Sequence, residues 1–295
     1  MTFAFIDAEK ASFPVAFMCD RLGVSRAGSF AWRARQATPT LRMVADVELT
    51  ATIREIHAAS RGTYGVPRVT AELRLGLGRP VNRKRVARLM AAAGLQGLTR
   101  RKGWRRAKPD TVAFADDLVA RSFRPDRPDE LWVADITQHP TREGWVYCAV
   151  VIDAYSRLVV GHAIADHLRT ELVIDAFDVA NWRRRPAPGT ILHSDHGSQY
   201  VAWAFGRRLR EAGLLASMGS VGDALDNAVA ESFFASMQTE LLDRRRTWDS
   251  RTQLANAMFE WIEVFYNRQR RHTTLDYKTP VEDDRTRPTA PAVAA

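Results

Sequence analysis

Cysteine is scarce in this sequence of 295 residues: Cys19 and Cys148 lie far apart, and neither belongs to a CxxC pair. This excludes a disulfide scaffold and a cysteine-based structural zinc site, and it fits a reducing cytosol. No apolar run reaches the ~18 residues of a membrane span, and the chain does not start with a basic-then-apolar signal. We therefore expect a cytoplasmic, nucleoid-associated protein of two or three domains.

Acidic residues are absent between Glu72 and Asp110, where basic residues are frequent. The net charge is +9, but residues 1–124 carry 23 Lys and Arg against 10 Asp and Glu, whereas residues 125–295 carry 20 against 24. A charge run is usually a solvated face. An acid-free run next to an acidic C-terminal part favours a polyanionic partner, with nucleic acid as the first candidate.

The first 40 residues have the pattern of a helix-turn-helix unit. Apolar residues from Val15 to Leu22 keep helical spacing, and Gly23 interrupts that spacing. Ser25 is a good N-cap for a second helix. A short helix pair is a common packing motif, so this unit alone does not indicate DNA binding.

A second unit of this kind, rich in basic residues, is predicted within residues 41–108. A helix near 67–75 ends in glycines, Asn82 can cap the next helix, and Gly94 can stop it. The basic side chains of this unit are either a solvated face or contacts to DNA phosphates, with the helix in a major groove. The candidate contacts are Arg83, Lys84, Arg85, Arg88, Arg100, Arg101, Lys102, Arg105 and Arg106.

Beyond a predicted linker over 109–128, the hydrophobic pattern changes to that of an α/β domain over 129–245, followed by a C-terminal helix and tail over 246–295. Three short apolar runs joined by turns predict an antiparallel meander. Two further strands alternate with helices, which predicts a mixed five-stranded sheet with helices on both faces. The predicted strands are 131–139, 144–153, 156–165, 190–194 and 214–218, and the predicted helices are 170–183, 200–212, 224–242 and 253–267.

Three carboxylates belong to three different predicted elements. Asp135 lies midway along the first strand, Asp195 just past the fourth, and Glu231 on the helix after the fifth. Strand ends at this edge of an α/β sheet are where ligands usually bind. A buried acid in an apolar strand needs a base, a hydrogen bond or a metal ion. Mg²⁺ prefers hard oxygen ligands, and a pair of such ions can serve phosphodiester displacement.

The stretch HSDHGSQY leaves three interpretations of Asp195 open: a catalytic metal ligand, a member of a zinc cluster with His193 and His196, or a turn residue. Zinc would need further ligands, and no CxxC or HExxH motif supplies them. Histidines beside a carboxylate at a strand end more often form hydrogen bonds or line a site. Asp153 is a fourth acid, and in the sequence DAYSR it is expected to cap a turn.

Asp135 in WVADIT, Asp195 in HSDHGSQY and Glu231 in DNAVAESFF resemble the DDE triad of retroviral-integrase-like transposases, with 35 residues between the last two. The motifs VNRKRVARLM and FYNRQRRHTTLDYKTP are similar to those of the second-reading-frame subunit (OrfB) of the bacterial insertion-sequence family numbered three. The resemblance covers residues 1–285, and it includes the upstream helices and the C-terminal end.

The resemblance implies a ribonuclease H-like catalytic domain, preceded by an all-α DNA-binding region. It also implies two Mg²⁺ or Mn²⁺ ions held by Asp135, Asp195 and Glu231, and DNA strand cleavage and strand transfer at the ends of the element. Gln238 stands where the family often has Lys or Arg, which puts a DNA contact there in doubt. Further candidate contacts to the active site or to DNA are Asn227, Arg270, Arg271 and His272.

The partners implied are double-stranded DNA, both terminal inverted repeats and target DNA, an upstream-frame partner or frameshift fusion, and further copies of the chain on DNA. A DNA-binding regulator of the same fold without catalysis is the competing hypothesis. We also expect that removal of residues 1–108 abolishes specific end binding and leaves the catalytic domain folded.

Overall fold

The computed structural model describes residues 2–37, 40–98, 125–195, 197–218 and 228–286. Within these described ranges, no helix is long and apolar enough to cross a membrane. Part of the predicted site lies outside them, as does most of the predicted linker. The predicted functional residues that are not described are Arg100, Arg101, Lys102, Arg105, Arg106, His196 and Asn227.

The N-terminal unit consists of three helices around a small core of its own. Gly23, with a φ of 66°, turns the chain after the second helix, and the Ser25 hydroxyl accepts the backbone N–H of Gly28 at 3.0 Å, so the predicted break and cap are confirmed. Ile6, Met18 and Cys19 form the core. The helices are α1 (Thr2–Ala8), α2 (Val15–Arg21) and α3 (Arg26–Ala37).

The second helical unit contains one long helix that has no counterpart among the predicted ones. This helix, α4, has a Thr40 side chain that accepts the N–H of Met43 as its N-cap, and it buries Leu49, Ile53 and Ile56. The predicted cap by Asn82 is confirmed, since its side chain accepts the N–H of Lys84 at 2.8 Å. The unit comprises α4 (Leu41–Ala59), α5 (Val66–Ala71, continued by a π-helical turn Glu72–Gly76) and α6 (Arg83–Ala92).

A mixed five-stranded sheet forms the centre of the molecule, as predicted. The strands are β1 (Leu131–Thr141), β2 (Gly144–Asp153), β3 (Val159–Ala165), β4 (Ile191–Ser194) and β5 (Leu215–Met218). Their order is β3-β2-β1-β4-β5, with β1 central, antiparallel to β2 and parallel to β4. The parallel strands follow crossover helices, which is the connection that a parallel pair requires.

Helices cover both faces of this sheet. Alternate residues of β1 face opposite sides, so this strand contributes apolar side chains to the packing on each face. Trp132 and Ala134 belong to one apolar cluster, with residues of α7 (Thr170–Arg184) and α8 (Trp203–Glu211). Leu131 and Val133 belong to the other cluster, with residues of α9 (Ala228–Glu240) and α10 (Arg251–Glu260, continued by a π-helical turn Trp261–Tyr266). A last short helix, α11, spans Pro280–Arg285 and begins with a capping box.

The second helical unit shares its core with the sheet domain. Nine buried side chains of this unit belong to the same apolar cluster as those of α9 and α10. Polar contacts join the same surfaces: the Tyr64 hydroxyl donates to the carbonyl of Gln269 at 2.8 Å, and Arg61 forms an ion pair with Glu260 at 2.7 Å. This packing is not visible in the local sequence pattern, and it argues against the expectation that the sheet domain folds without residues 1–108.

Two truncations should therefore differ. Removal of residues 1–39 takes away only helices with their own core, so the melting temperature of the remaining chain should stay within a few degrees. Removal of residues 1–98 exposes a face that buries many apolar side chains, each contributing about 1.5–3 kcal/mol. That loss is comparable with a typical total stability of about 5–15 kcal/mol. Thermal unfolding and soluble yield measure both, and a well-folded 99–295 fragment would contradict the shared core.

Candidate active site

Asp135 lies in the centre of the sheet, on the face covered by α9. It belongs to the central strand β1 and pairs with Val150 of β2. By alternation it shares the face of Leu131 and Val133, which pack against α9. The side chain is half-buried, and its Oδ1 accepts the backbone N–H of Ile136 at 2.7 Å. A carboxylate is therefore fixed at the inner face of an otherwise apolar strand.

Asp195 is placed next to Asp135 by the pairing of β1 with β4. The parallel register runs from Leu131↔Ile191 to Ala134↔Ser194, and its next step sets position 195 beside position 135. Asp195 is the first residue after β4, as predicted, and its Oδ1 accepts the N–H of Gly197 at 3.1 Å. This Asx-type turn holds the carboxylate at the carboxyl edge of the sheet.

Gly197 keeps this turn tight. A Cβ at this position would lie 3.0 Å from Oδ1 of Asp195. That separation is too short for an ordinary contact, so the bound carboxylate would have to shift. The glycine in HSDHGSQY thus has a structural reason that is tied to the orientation of Asp195.

Glu231 lies in the first turn of α9 and is half-buried. Its neighbours Val229, Ala230 and Phe233 pack into the cluster that contains Val133 of β1. The helix therefore carries Glu231 over the face to which Asp135 belongs. Among the described residues, no three His, Cys, Asp or Glu side chains form a group that could hold one metal ion. The strand register thus places the two aspartates side by side. Within the described residues, Glu231 does not complete a three-carboxylate metal site with them.

Tyr200 also lies near this site, although no sequence pattern indicates it. Its side chain is buried, and within the described part of the chain its hydroxyl has no hydrogen-bond partner. Burial raises the pKa of Tyr200 well above its usual value, and the negative charges of Asp135 and Asp195 raise this pKa further. Tyr200 therefore stays protonated at neutral pH and lies within electrostatic range of both carboxylates.

His193 has a packing role between two strands. It is buried, and its Nδ1 lies 3.0 Å from the hydroxyl oxygen of Ser217, its register partner on β5. Gln238, the other residue predicted near the site, lies on α9, and its side-chain amide donates to Asp243 at 2.6 Å. Neither observation indicates a metal-binding role.

Asp153 caps a turn, as expected, since its Oδ2 accepts the N–H and the hydroxyl of Ser156.

Arg270, Arg271 and His272 are buried, so the expectation that they contact DNA phosphates is wrong, and so is the alternative of a solvated helix end. Arg270 donates two hydrogen bonds of 2.8 Å to the carboxylate of Glu240 at the end of α9. Arg271 donates to Glu72 at 2.6 Å. Burial, followed by the charge of Arg270, holds the pKa of His272 well below its usual value, so this imidazole is neutral.

The basic residues of α6 differ in their availability to DNA. Arg83 and Lys84 are exposed, whereas Arg85 and Arg88 bind Asp46 of α4 at 2.7 and 2.6 Å. Hydrogen bonds from Arg88 and then Arg85 lower the pKa of Asp46. Arg83 and Lys84 are therefore the described side chains of α6 that are best placed to meet phosphates.

Comparison with known proteins decides the family. One Integrase core domain family matches residues 125–224, a second family of that description matches 212–280, and the HTH-like domain family matches 45–103. The transposase for insertion sequence element IS629 of Shigella sonnei is 36% identical over 283 residues, which cover 95% of this chain and 94% of that protein. The transposase InsF for insertion sequence IS3A of Escherichia coli (strain K12) is 34% identical over 278 residues, which cover 92% and 94%.

The chain belongs to the IS3 family of insertion-sequence transposases. This family places it in the DDE and retroviral integrase superfamily, whose proteins serve DNA transposition and integration. A chain of the simian T-cell lymphotropic virus intasome aligns with a TM-score of 0.47 at 12% identity, covering 82% of this transposase and 80% of that chain. The strand order and the match to the integrase core family support the assignment of a ribonuclease H-like fold to the transposase.

Proposed function

We propose that this transposase cuts a DNA strand at the ends of its insertion sequence and joins the freed 3′-hydroxyl to another phosphate. Asp135, Asp195 and Glu231 are the proposed catalytic residues, with two Mg²⁺ or Mn²⁺ ions as cofactors. The observation that carries the proposal is the parallel register of β1 and β4. In a member of a transposase family, it sets two carboxylates side by side at the carboxyl edge of the sheet.

The donor chemistry of the site suits these ions. Asp135 and Asp195 offer hard oxygen ligands on the same face, and both are half-buried. Glu231 would supply the third carboxylate from α9. Bound in a pair, such ions supply activation of the attacking oxygen and charge stabilisation of the leaving one.

The chain's own groups orient these carboxylates. The N–H groups of Ile136 and Gly197 each bind one carboxylate oxygen, of Asp135 and Asp195 respectively. Such supporting hydrogen bonds fix the direction in which a ligand presents its remaining oxygen. Tyr200, kept protonated by burial and by the two negative charges, adds a neutral buried hydroxyl within electrostatic range of both aspartates.

Double-stranded DNA is the proposed substrate and partner, bound through the helical unit that matches the HTH-like domain family. We propose further that copies of the chain assemble on DNA, and that an upstream-frame partner or fusion completes the active protein. The competing hypothesis is a DNA-binding regulator without catalysis. An oligonucleotide assay of strand cleavage and strand transfer, run with the purified protein alone and fused to the upstream-frame product, separates the two, because a regulator binds the DNA and leaves it intact in both forms.

Binding to DNA should weaken steeply with salt, because neutralised phosphates release counterions. For about 6–10 phosphate contacts, the affinity falls roughly 10³–10⁵-fold between 50 and 200 mM salt. Fluorescence anisotropy with labelled duplex measures the slope. Arg83→Ala and Lys84→Ala should each reduce the slope by about 1, whereas Arg88→Ala, whose side chain is bound by Asp46, should reduce it less. A flat response would contradict phosphate-dominated binding.

A further inference from the structure

A pocket of about 480 Å³ opens where the C-terminal end of α9, one side of α10 and the turn after α4 meet. Its wall includes Arg61, Arg244, Arg245 and Trp248, and it contains none of the three proposed catalytic carboxylates. Arg244 and Arg245 are exposed and follow α9 directly, whereas Arg61 comes from the second helical unit. Three arginines from two distant parts of the sequence therefore surround one cavity.

The arginine side chains of this pocket, which we call the α9 pocket, are held in place. The guanidinium of Arg245 lies 4.9 Å from the centre of the ring of Trp248, which is buried. Arg244 donates through Nη2 to the carbonyl oxygen of Arg61 at 3.2 Å. Stacking on tryptophan and a hydrogen bond to backbone both restrict long side chains, so less conformational entropy is lost when a ligand binds.

Arg61 has an unusual backbone conformation. Its φ is 58° and that of Gly62 is 70°, so two consecutive residues adopt the left-handed region after α4. For a residue with a side chain, this region is strained, and such strain is often found at functional sites. Here it turns the chain so that Arg61 reaches the pocket and its guanidinium lies 5.4 Å from the centre of the Phe265 ring.

The charge of the α9 pocket favours an anion. Two glutamates also line it, but both are neutralised by ion pairs. Glu240 pairs with Arg270 and Arg68, and Glu260 pairs with Arg61. Counting five arginines against these two glutamates leaves a net charge of +3. In the part of the chain that the structure describes, no ion pair engages Arg244 or Arg245.

We propose that the α9 pocket binds a backbone phosphate of duplex DNA through Arg244 and Arg245, with Arg61 at its far wall. The planar guanidinium group suits paired hydrogen bonds to phosphate oxygens. The proposal rests on the proposed function, because it takes DNA as the ligand. Glu231 and Glu240 lie nine residues apart on α9, a rise of about 14 Å, which matches about four base-pair steps of 3.4 Å. The pocket would therefore bind the duplex close to the position at which its strand is cut.

The test uses the full-length chain with Glu231→Gln, so that bound DNA is not consumed. Binding of a short duplex of arbitrary sequence is measured by anisotropy over a series of KCl concentrations. Arg244→Ala with Arg245→Ala should weaken binding about tenfold per arginine, as expected for a charge-assisted hydrogen bond. It should also reduce the salt slope by about 2, because two phosphate contacts are lost. Both side chains are exposed and lose only one cation–π contact and one surface hydrogen bond, so the melting temperature should fall by no more than a few degrees.

Arg207→Ala is the matched control. Arg207 is also exposed and lies 4.7 Å from the centre of a tryptophan ring, that of Trp203, but outside the α9 pocket. Arg207→Ala removes one charge and the double variant removes two, so the losses are compared per charge removed. Equal losses per charge would overturn the proposal, since the effect would then be one of net charge. Unchanged affinity and slope in the double variant would overturn it too. If the parent protein itself did not bind duplex DNA, the proposed function would fail instead.

Inorganic phosphate distinguishes a DNA site from a site for a free anion. At a concentration equal to that of the duplex phosphates, it should leave the affinity for DNA unchanged. Displacement of the duplex under that condition, lost in the double variant, would identify a small-anion site and overturn DNA as the ligand.

Discussion

Single substitution of Asp135→Asn, Asp195→Asn or Glu231→Gln is expected to abolish strand transfer while DNA binding persists. Each change keeps the size of the side chain and removes one anionic oxygen ligand. Metal ions in such sites supply several kcal/mol of transition-state stabilisation, so the rate should fall about a thousand-fold or more, since each 1.36 kcal/mol is tenfold. The measurement is an oligonucleotide strand-transfer assay with Mg²⁺.

The control for these variants is Asp166→Asn. Asp166 belongs to the same domain, and its exposed side chain forms an ion pair with Arg251 at 3.2 Å. This variant should retain activity, because exposed pairs contribute little. Each triad variant must also bind duplex DNA and melt like the parent protein. Strand transfer within tenfold of the parent in any one of the three would refute the assignment of that carboxylate.

The sheet and the position of two carboxylates could be predicted from the sequence, because both depend on local patterns. Alternating apolar runs bounded by turns define β1, β2 and β3, and an acid directly after the apolar β4 falls at the carboxyl edge of a parallel pair. The strand order then follows from the rules of connection. For this reason the sequence alone places Asp135 and Asp195 on neighbouring elements.

Contacts between distant parts of the chain could not be predicted in this way. The segment FYNRQRRH ends in basic residues next to a helix, which locally indicates exposure. Its true environment depends on distant acids. Arg270 binds Glu240, which is 30 residues away, and Arg271 binds Glu72, which is 199 residues away. Helix α4 is different: its buried residues Leu49, Ile53 and Ile56 keep the i, i+4, i+7 spacing of a helix, so the helix itself was predictable, whereas the surface it packs against was not.

The buried ion pair between Glu240 and Arg270 fastens three parts of the transposase together. Glu240 ends α9, the helix that begins near Glu231, and it also receives Arg68 from α5 at 3.3 Å. Arg270 belongs to the C-terminal segment, and it also donates to the Ser236 hydroxyl and to the neutral His272. This pair contributes little to the net free energy of folding, since the cost of taking two charges out of water offsets their attraction. Its importance lies in what happens when one partner is removed.

Glu240→Gln should therefore destabilise the protein strongly. It leaves Arg270 buried and short of a counter-charge, and breaking a buried pair in this way costs about 3–5 kcal/mol. The expected fall in melting temperature is roughly 10 °C. Strand transfer should decline as well at temperatures below the melting point, because the helix that carries Glu231 loses its anchor to the C-terminal segment. Thermal unfolding and the oligonucleotide assay measure the two effects.

Arg142→Met provides the matched comparison, since it breaks an exposed ion pair with Asp249 at 3.2 Å in the same domain. Its cost should stay below about 1 kcal/mol. Combining Glu240→Gln with Arg270→Met removes both charges, so the double variant should be less destabilised than the sum of the single ones, with a coupling of about 0.5–3 kcal/mol. Additive losses, or a Glu240→Gln variant as stable as Arg142→Met, would show that the pair does not hold α9 to the C-terminal segment.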